Sequence, residues 1–300
     1  MNKILIVRIA EGLGNQLFMY ANAYSLSKRF NYKLYIDNES SFFKNKGRSR
    51  IYNLNFFDIP EEICSNHLKF NNYFKDIKRK LLKFNNKFTS NKNFLIEEVD
   101  QYKQTKYNEV LSLKSPKIFI EGHFETELYF KDFHTDLKKI LKVKNDLIDN
   151  NNSYIDKIKQ TNSVSIHLRK NRYTEDLRSQ KTKDYKNDEL FEKNLLNYVH
   201  NSINYLDKKL DNPHYFIWSN DLSSFKQSFL DQKKFTFIEN DNLATDFYLF
   251  SLCKNFIVGP STFHWWGAWL NENSNKICVR PSNINPSNNY DFWPKNWLSI

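Results

Sequence analysis

At 300 residues the chain is long enough for one large domain or two of ordinary size, and 40% apolar with 16% aromatic residues excludes wholesale disorder. A net charge of +11 favours acidic partners (phosphates, nucleotides, nucleic acid or an anionic membrane) without choosing among them. Cys64, Cys253 and Cys278 fit neither a disulfide framework nor a zinc site, and no apolar run approaches the ~18 residues of a membrane span, so the sequence reads as a cytoplasmic protein, soluble or peripheral.

The first expected strand is the apolar run at residues 4–7. A glycine turn and a helical pattern follow it. Gly12 and Gly14 lack the third glycine of a dinucleotide fingerprint, because Leu17 stands in its place. Without Cβ atoms the two glycines let backbone approach a ligand, although a plain tight turn reads the same way. Leu17, Tyr20, Ala21 and Tyr24 mark the buried face of the helix, and Asn15 and Gln16 lie near its amino end. Those amides suit a hydroxyl-rich or phosphate ligand.

Further strands are expected at residues 33–36 and 117–121. Between them lies a basic amphipathic stretch, residues 68–88. There Phe70, Tyr73, Phe74, Ile77, Leu81 and Phe84 recur at helical spacing among Lys75, Lys78, Arg79, Lys80 and Lys83. Such a helix could lie on an anionic membrane. The more usual arrangement, and the expectation here, turns the apolar stripe onto the helix's own domain. The polar stretch at residues 142–154 is the expected domain boundary, dividing the chain into 1–150 and 151–300.

Beyond it, strand-like runs at 164–168, 215–218, 235–238, 256–258 and 277–279 alternate with helical ones. This is the pattern of parallel β-α-β units, with ligand sites at the carboxyl ends of the strands. In the stretch SVSIHLRKNRY the strand alternation places His167 and Arg169 on one face, with Lys170 and Arg172 beyond the strand end. Arginine suits a pyrophosphate because its planar fork donates two parallel, charge-assisted bonds. Arg172 reads equally well as part of an exposed loop. Ser219, Asn220 and Asp221 close another strand at the same edge. The strand at 256–258 runs through Gly259 and Pro260 into Ser261 and Thr262, which are placed to cap the next helix and add donors to its amides. Trp265, Trp266 and Trp269 read as core.

Taken together, GLGNQLF at residues 12–18, His-x-Arg at 167–169 and the segment STFHWWGAWLN at 261–271 resemble glycosyltransferase family 11, whose bacterial members include the α-1,2-fucosyltransferases. RIYNLNFF at 50–57, GHFETELYF at 122–130 and WSND at 218–221 extend the resemblance in order along nearly the whole chain. It implies an α/β, GT-B-like fold of two Rossmann-like domains facing across a cleft. The first would be the acceptor-side domain with its basic helical insertion, and the second would bind the nucleotide sugar. It further implies GDP-fucose as donor and a galactoside of a surface glycan as acceptor, carried on a membrane lipid. Transfer would invert the anomeric centre and need no metal or other cofactor. No Asp-x-Asp pair occurs and the seven histidines lack ligand spacing, consistent with a metal-free site.

Under this reading the donor site comprises Gly12, Gly14, Asn15, Gln16, Arg169, Lys170, Ser219, Asn220, Asp221, Ser261 and Thr262. Arg169 and His167 serve the reaction, and Glu11 is a candidate base that is also readable as a solvated turn residue. One departure stands out. The family pattern His-x-Arg-Arg-Gly-Asp-Tyr here reads His167-Leu168-Arg169-Lys170-Asn171-Arg172-Tyr173, so lysine loses the fork and arginine replaces the aspartate. That reversal of charge leaves a different fucose linkage or a related GDP-sugar as an alternative. A basic nucleic-acid-binding protein is the remote one, since the aromatics fall at core periodicity rather than as exposed stacking platforms.

Overall fold

The structure, a computed structural model, describes residues 3–44, 50–149, 152–170, 185–229, 233–240 and 242–300. Two compact units divide the chain: Met1–Lys144 with Ser287–Pro294, and Asn145–Pro286 with Lys295–Ile300.

The first unit is built on five parallel strands, β1 (Ile4–Arg8), β2 (Lys33–Asp37), β3 (Glu62–Ile63), β4 (Phe94–Ile96) and β5 (Lys117–Glu121), in the order β3-β2-β1-β5-β4. Leu5, Ile6 and Val7 are all buried, as a central parallel strand covered on both faces requires. Helix α1 (Leu13–Phe30) returns the chain from β1 to β2 and ends on Asn31 in the left-handed conformation, a residue type that tolerates it. The one-sided burial expected for α1 is exceeded. Phe18, Met19, Asn22, Ala23 and Ser25 are buried as well as Leu17, Tyr20, Ala21 and Tyr24, so the helix is enclosed on every side. Phe18 packs against Phe130 and against Phe292 of the returning C-terminal segment. Such a helix carries no amphipathic stripe to read.

Helix α2 (Tyr73–Asn85) forms where its spacing predicts, with the Asn72 carboxamide capping Lys75 N–H, but it faces the other way. Its apolar residues are exposed, whereas Asp76 and Arg79 are buried. Arg79 bridges Asp76 and Glu121, at the end of β5, and Lys83 also reaches Glu121. Ion pairing at the carboxyl end of β5, not apolar packing, fixes the orientation of this helix. A short α3 (His134–Ile140) follows β5.

In the second unit, α4 (Ser153–Gln160) precedes β6 (Asn162–Leu168), α5 (Tyr185–Asp207), β7 (Pro213–Ser219), α6 (Leu222–Lys226), β8 (Phe235–Phe237), α7 (Leu243–Leu252), β9 (Asn255–Ile257), α8 (Thr262–Leu270), β10 (Cys278–Arg280) and β11 (Leu298–Ser299). All strands are parallel, in the order β11-β10-β9-β6-β7-β8. Numbered from β6, that is the doubly wound order 3-2-1-4-5-6, and the winding reverses between β6 and β9. Val164, Ile166 and Leu168 of β6 pack with Leu195 and Val199 of α5 and with Ile217 of β7 in the core of this unit. Asparagines punctuate the chain here: Asn152 caps α4 and Asn242 caps α7 through their side-chain oxygens.

Candidate functional site

A doubly wound sheet leaves a crevice at the carboxyl ends of the two strands that flank its reversal. In the second unit these are β6 and β9, paired in register with Ile166 opposite Ile257. The loop leaving β9 lies directly on the backbone leaving β6. A Cβ on Gly259 would stand 2.1 Å from the His167 carbonyl oxygen, so only glycine permits this approach.

A histidine not foreseen from the sequence holds the arrangement. His264, fully buried in α8, accepts the Gly259 N–H on Nδ1 at 3.1 Å and pairs through Nε2 with Ser165 Oγ at 2.8 Å. Because Nδ1 accepts, Nε2 carries the proton and donates. Burial first, and His167 second, hold His264 well below the ordinary imidazole range, so it is neutral. The spacing Ser261-x-x-His264 was the available signal, since it sets the ring one turn into a helix that starts at the strand end.

Around this frame stand the residues anticipated for the second unit. Arg169, half-buried, is the first residue beyond β6. Burial and then the Arg169 cation push His167 down to about 3, so His167 is neutral and adds no positive charge. Its Nδ1 is buried with no hydrogen-bond partner among the described residues. Lys170 joins the β6 and β7 ends: its N–H donates to Asn220 Oδ1 at 2.8 Å and its carbonyl accepts from Asn220 Nδ2 at 3.1 Å. The Lys170 ammonium donates to Ser224 Oγ at 2.7 Å and lies 3.5 Å from Asp221 Oδ2. Asp221 in turn caps α6, and hydrogen bonds from Ser224 and Ser223, with Lys170, hold its carboxyl well below the usual range. Ser219 Oγ accepts the Asp221 N–H. Asn220, Asp221 and Lys170 thus staple two strand ends together.

Ser261 is the N-cap of α8 and buried, but its side chain makes no capping bond. Thr262 opens the helix, and no acidic residue occupies its first turn. An uncapped helix start with hydroxyls beside it and an arginine on the neighbouring strand end is suited to a phosphate. Asn171, Arg172 and Tyr173 lie outside the described residues, as does the reversal of charge read at Arg172.

The first unit repeats the theme at β1 and α1. Gly12 is the N-cap in extended backbone, with no side-chain cap and no acid in the first turn. A Cβ at Gly12 would meet nothing within 4 Å, whereas Gly14 is buried in the first turn. Asn15 is half-buried. Gln16 is fully buried: Nε2 donates to the Glu11 and Ile51 carbonyls at 2.8 and 2.7 Å, and Oε1 accepts the Asn53 N–H at 2.9 Å. Gln16 therefore shapes the turn. Glu11 sits in the left-handed region at φ 65° and pairs with Arg50. The structure groups these five residues in one unit and His167, Arg169, Lys170, Ser219, Asn220, Asp221, Ser261 and Thr262 in the other. Among the described residues no group of three or more His, Cys, Asp or Glu is placed to hold a metal, and no helix is long and apolar enough to cross a membrane.

The family model described as glycosyl transferase family 11 matches residues 4–300. The chain belongs to glycosyl transferase family 11. This glycosyltransferase is 30% identical to an alpha-1,2-colitosyltransferase of Escherichia coli, with 99% of each chain covered. It is 26% identical to the O-antigen biosynthesis glycosyltransferase WbnK of Escherichia coli, over 94% of this chain and 95% of that one. In fold it resembles the fucosyltransferase NodZ from Bradyrhizobium (TM-score 0.54, 14% identity, 89% of this chain and 92% of that one). It also resembles FUT1 of Arabidopsis thaliana, solved as a variant with GDP (TM-score 0.53, 13% identity, 95% and 72%). The GT-B-like α/β architecture read from the sequence is thus the one observed.

Proposed function

We propose that this family 11 glycosyltransferase moves L-fucose from GDP-fucose to O-2 of a galactose in a surface glycan such as an O-antigen or capsule repeat, with inversion and without metal. The observation that carries the reading is the edge at the β6–β9 reversal. There Arg169 follows β6 while Ser261 and Thr262 open α8 after β9, with no acidic residue in the first turn of α8, and we read this edge as the place for an anion. Support for the nucleotide comes from NodZ, whose solved forms include one soaked with GDP-fucose and one co-crystallised with GDP. WbnK, named for O-antigen biosynthesis, supports the glycan.

The acceptor oxygen forms its bond to the fucose anomeric carbon from the face opposite GDP, as the bond from that carbon to the β-phosphate oxygen breaks. Negative charge grows on the departing diphosphate, so donors fixed before the reaction stabilise the transition state most. Arg169 supplies the charged fork. His264 and Gly259 act at one remove, by holding the β9–α8 loop beside Arg169. His167, neutral, can exchange a hydrogen bond with the substrate but not balance its charge. We assign acceptor binding to the first unit, with Glu11 the candidate base. That role requires its pair with Arg50 to open.

The colitosyltransferase relative favours a second reading, in which the donor sugar is colitose, L-fucose without its 3-hydroxyl. A site built to bond that hydroxyl discriminates strongly between the two, whereas an apolar one does not. Following GDP release from GDP-fucose and from GDP-colitose with a panel of galactosides decides between them. Turnover of GDP-fucose at least ~10-fold faster is expected on the first reading. Turnover of neither donor would overturn both.

A further inference from the structure

The feature that the glycosyl-transfer site leaves unused is α2. Phe74 is 86% exposed, Ile77 57%, Leu81 59% and Phe84 59%. At 3.6 residues per turn they form, with Tyr73, one arc of about 100°, edged by Lys80 on one side and Lys78 on the other. Just past the helix, Phe88 continues the stripe with its ring 5.3 Å from that of Phe84, and Lys87 and Lys92 continue the basic fringe.

The residues that would let this stripe serve the core are absent from the inner face. Asp76, Arg79 and Lys83 occupy it, with Arg79 paired to both Asp76 and Glu121 and Lys83 paired to Glu121. Asp76 is the one acid of the helix, and it is turned inward and held by Lys44 and Arg79, with the exposed Lys80 ammonium 3.8 Å from it. The outward surface is therefore apolar and cationic with nothing acidic on it.

We propose that the Tyr73–Asn85 helix with Phe88 docks this unit on an anionic lipid surface. Phe74, Ile77, Leu81 and Phe84 seat among the headgroups, and Lys78, Lys80 and Lys87 reach the lipid phosphates. A helix with aromatic and aliphatic residues on one face and lysines beside them lies in the membrane interface by this division of labour, the lysine stems adding apolar cover. Charge decides against a second copy of the chain as occupant. A two-fold contact through this face would set each lysine fringe against its own equivalent. An anionic bilayer instead attracts every lysine of the fringe.

Co-sedimentation of the full chain with vesicles tests the proposal, and it uses neither donor nor acceptor, so its outcome is separate from the fucosyl reading. Vesicles of phosphatidylcholine with a third phosphatidylglycerol should bind at least ~10-fold better than phosphatidylcholine alone, and less well as salt rises. The paired substitution Phe74→Ser and Leu81→Ser should lower binding at least ~10-fold while circular dichroism and the thermal midpoint stay unchanged, because both side chains are already in water. Lys78→Glu with Lys87→Glu should do the same. As a gain of signal, Ile77→Trp should shift its emission to the blue on anionic vesicles only. Equal binding to both vesicle types overturns the proposal, as does binding that survives loss of Phe74 and Leu81. So does a wild-type dimer in sedimentation equilibrium that Phe74→Ser splits while vesicles capture nothing, which would assign the face to self-association.

Discussion

Gly259 lies so close to His167 that a side chain on it would enter the space of the His167 carbonyl, at 2.1 Å from a Cβ. The contact joins the two strand ends at the sheet's reversal, and His264 locks it from below through Gly259 N–H.

Gly259→Ala should therefore push the β9–α8 loop away from Arg169. Overpacking of this kind costs about 1–3 kcal/mol, so the thermal midpoint should fall modestly while kcat/KM falls much further. Comparing unfolding curves with transfer kinetics checks this. A variant that keeps wild-type turnover would show that the contact does not position the site.

Arg169 is proposed as the fork on the diphosphate. Arg169→Ala should cost at least ~2 kcal/mol of transition-state stabilisation, roughly 30-fold in kcat/KM, and Arg169→Lys should recover part of it. A loss below twofold for Arg169→Ala would move the donor phosphates elsewhere.

Two imidazoles, the fully buried His264 and the half-buried His167, make the stability of the second unit depend on pH. His264 lies well below the ordinary range and His167 is pushed down to about 3. Both native values are depressed, so the unfolded chain binds protons first, starting near pH 6.5. Stability is complete above that value and is lost as pH falls from there toward 3, by up to ~1.4 kcal/mol per pH unit for each ring. Thermal midpoints at pH 7, 6 and 5 should descend accordingly, and His264→Gln should flatten the slope while lowering the midpoint at pH 7. A pH-independent midpoint across that window would contradict the neutral pair.

At the carboxyl end of β5, Arg79 holds Asp76 and Glu121 together, with all three side chains largely buried. Burial works against the charged Asp76, but hydrogen bonds from Lys44 and Arg79 outweigh it and hold that carboxyl down at about 2. Arg79→Met leaves two largely buried carboxylates to their lysines alone, Asp76 to Lys44 and Glu121 to Lys83, and should cost about 3 kcal/mol at pH 7. The deficit should shrink below pH 4, where stability that rests on depressed carboxylates is already being lost. Chemical denaturation at both pH values measures it, and an equal deficit at each would refute the electrostatic origin.

Much of this was legible in the residues, and the failures have physical causes. Eight strands announce themselves as apolar runs. β3 and β11 have two residues each, too few for alternation to register, and β4 was passed over although β8, β9 and β10 are equally short. The orientation of α2 was misread because a wheel ranks residues by hydrophobicity, while the ion pairs to Glu121 come from a strand distant in sequence. Gln16 looked like a ligand-binding amide, yet its carboxamide donates to and accepts from three backbone groups of its own unit. His264 escaped notice inside a tryptophan-rich helix, where one ring more reads as core. The positions of Arg169 just beyond β6 and of Ser261 at the start of α8 were readable because strand ends and helix starts are local features.

The most direct test is the structure of the product. The purified chain is incubated with GDP-fucose and a galactoside in EDTA, and the isolated oligosaccharide is examined by mass spectrometry and by NMR of its anomeric proton. The account predicts a single added fucose, α-linked to O-2 of galactose, formed from the β-linked donor with inversion and at an undiminished rate in EDTA. A β-linked product, or turnover that appears only when manganese or magnesium is restored, would contradict it.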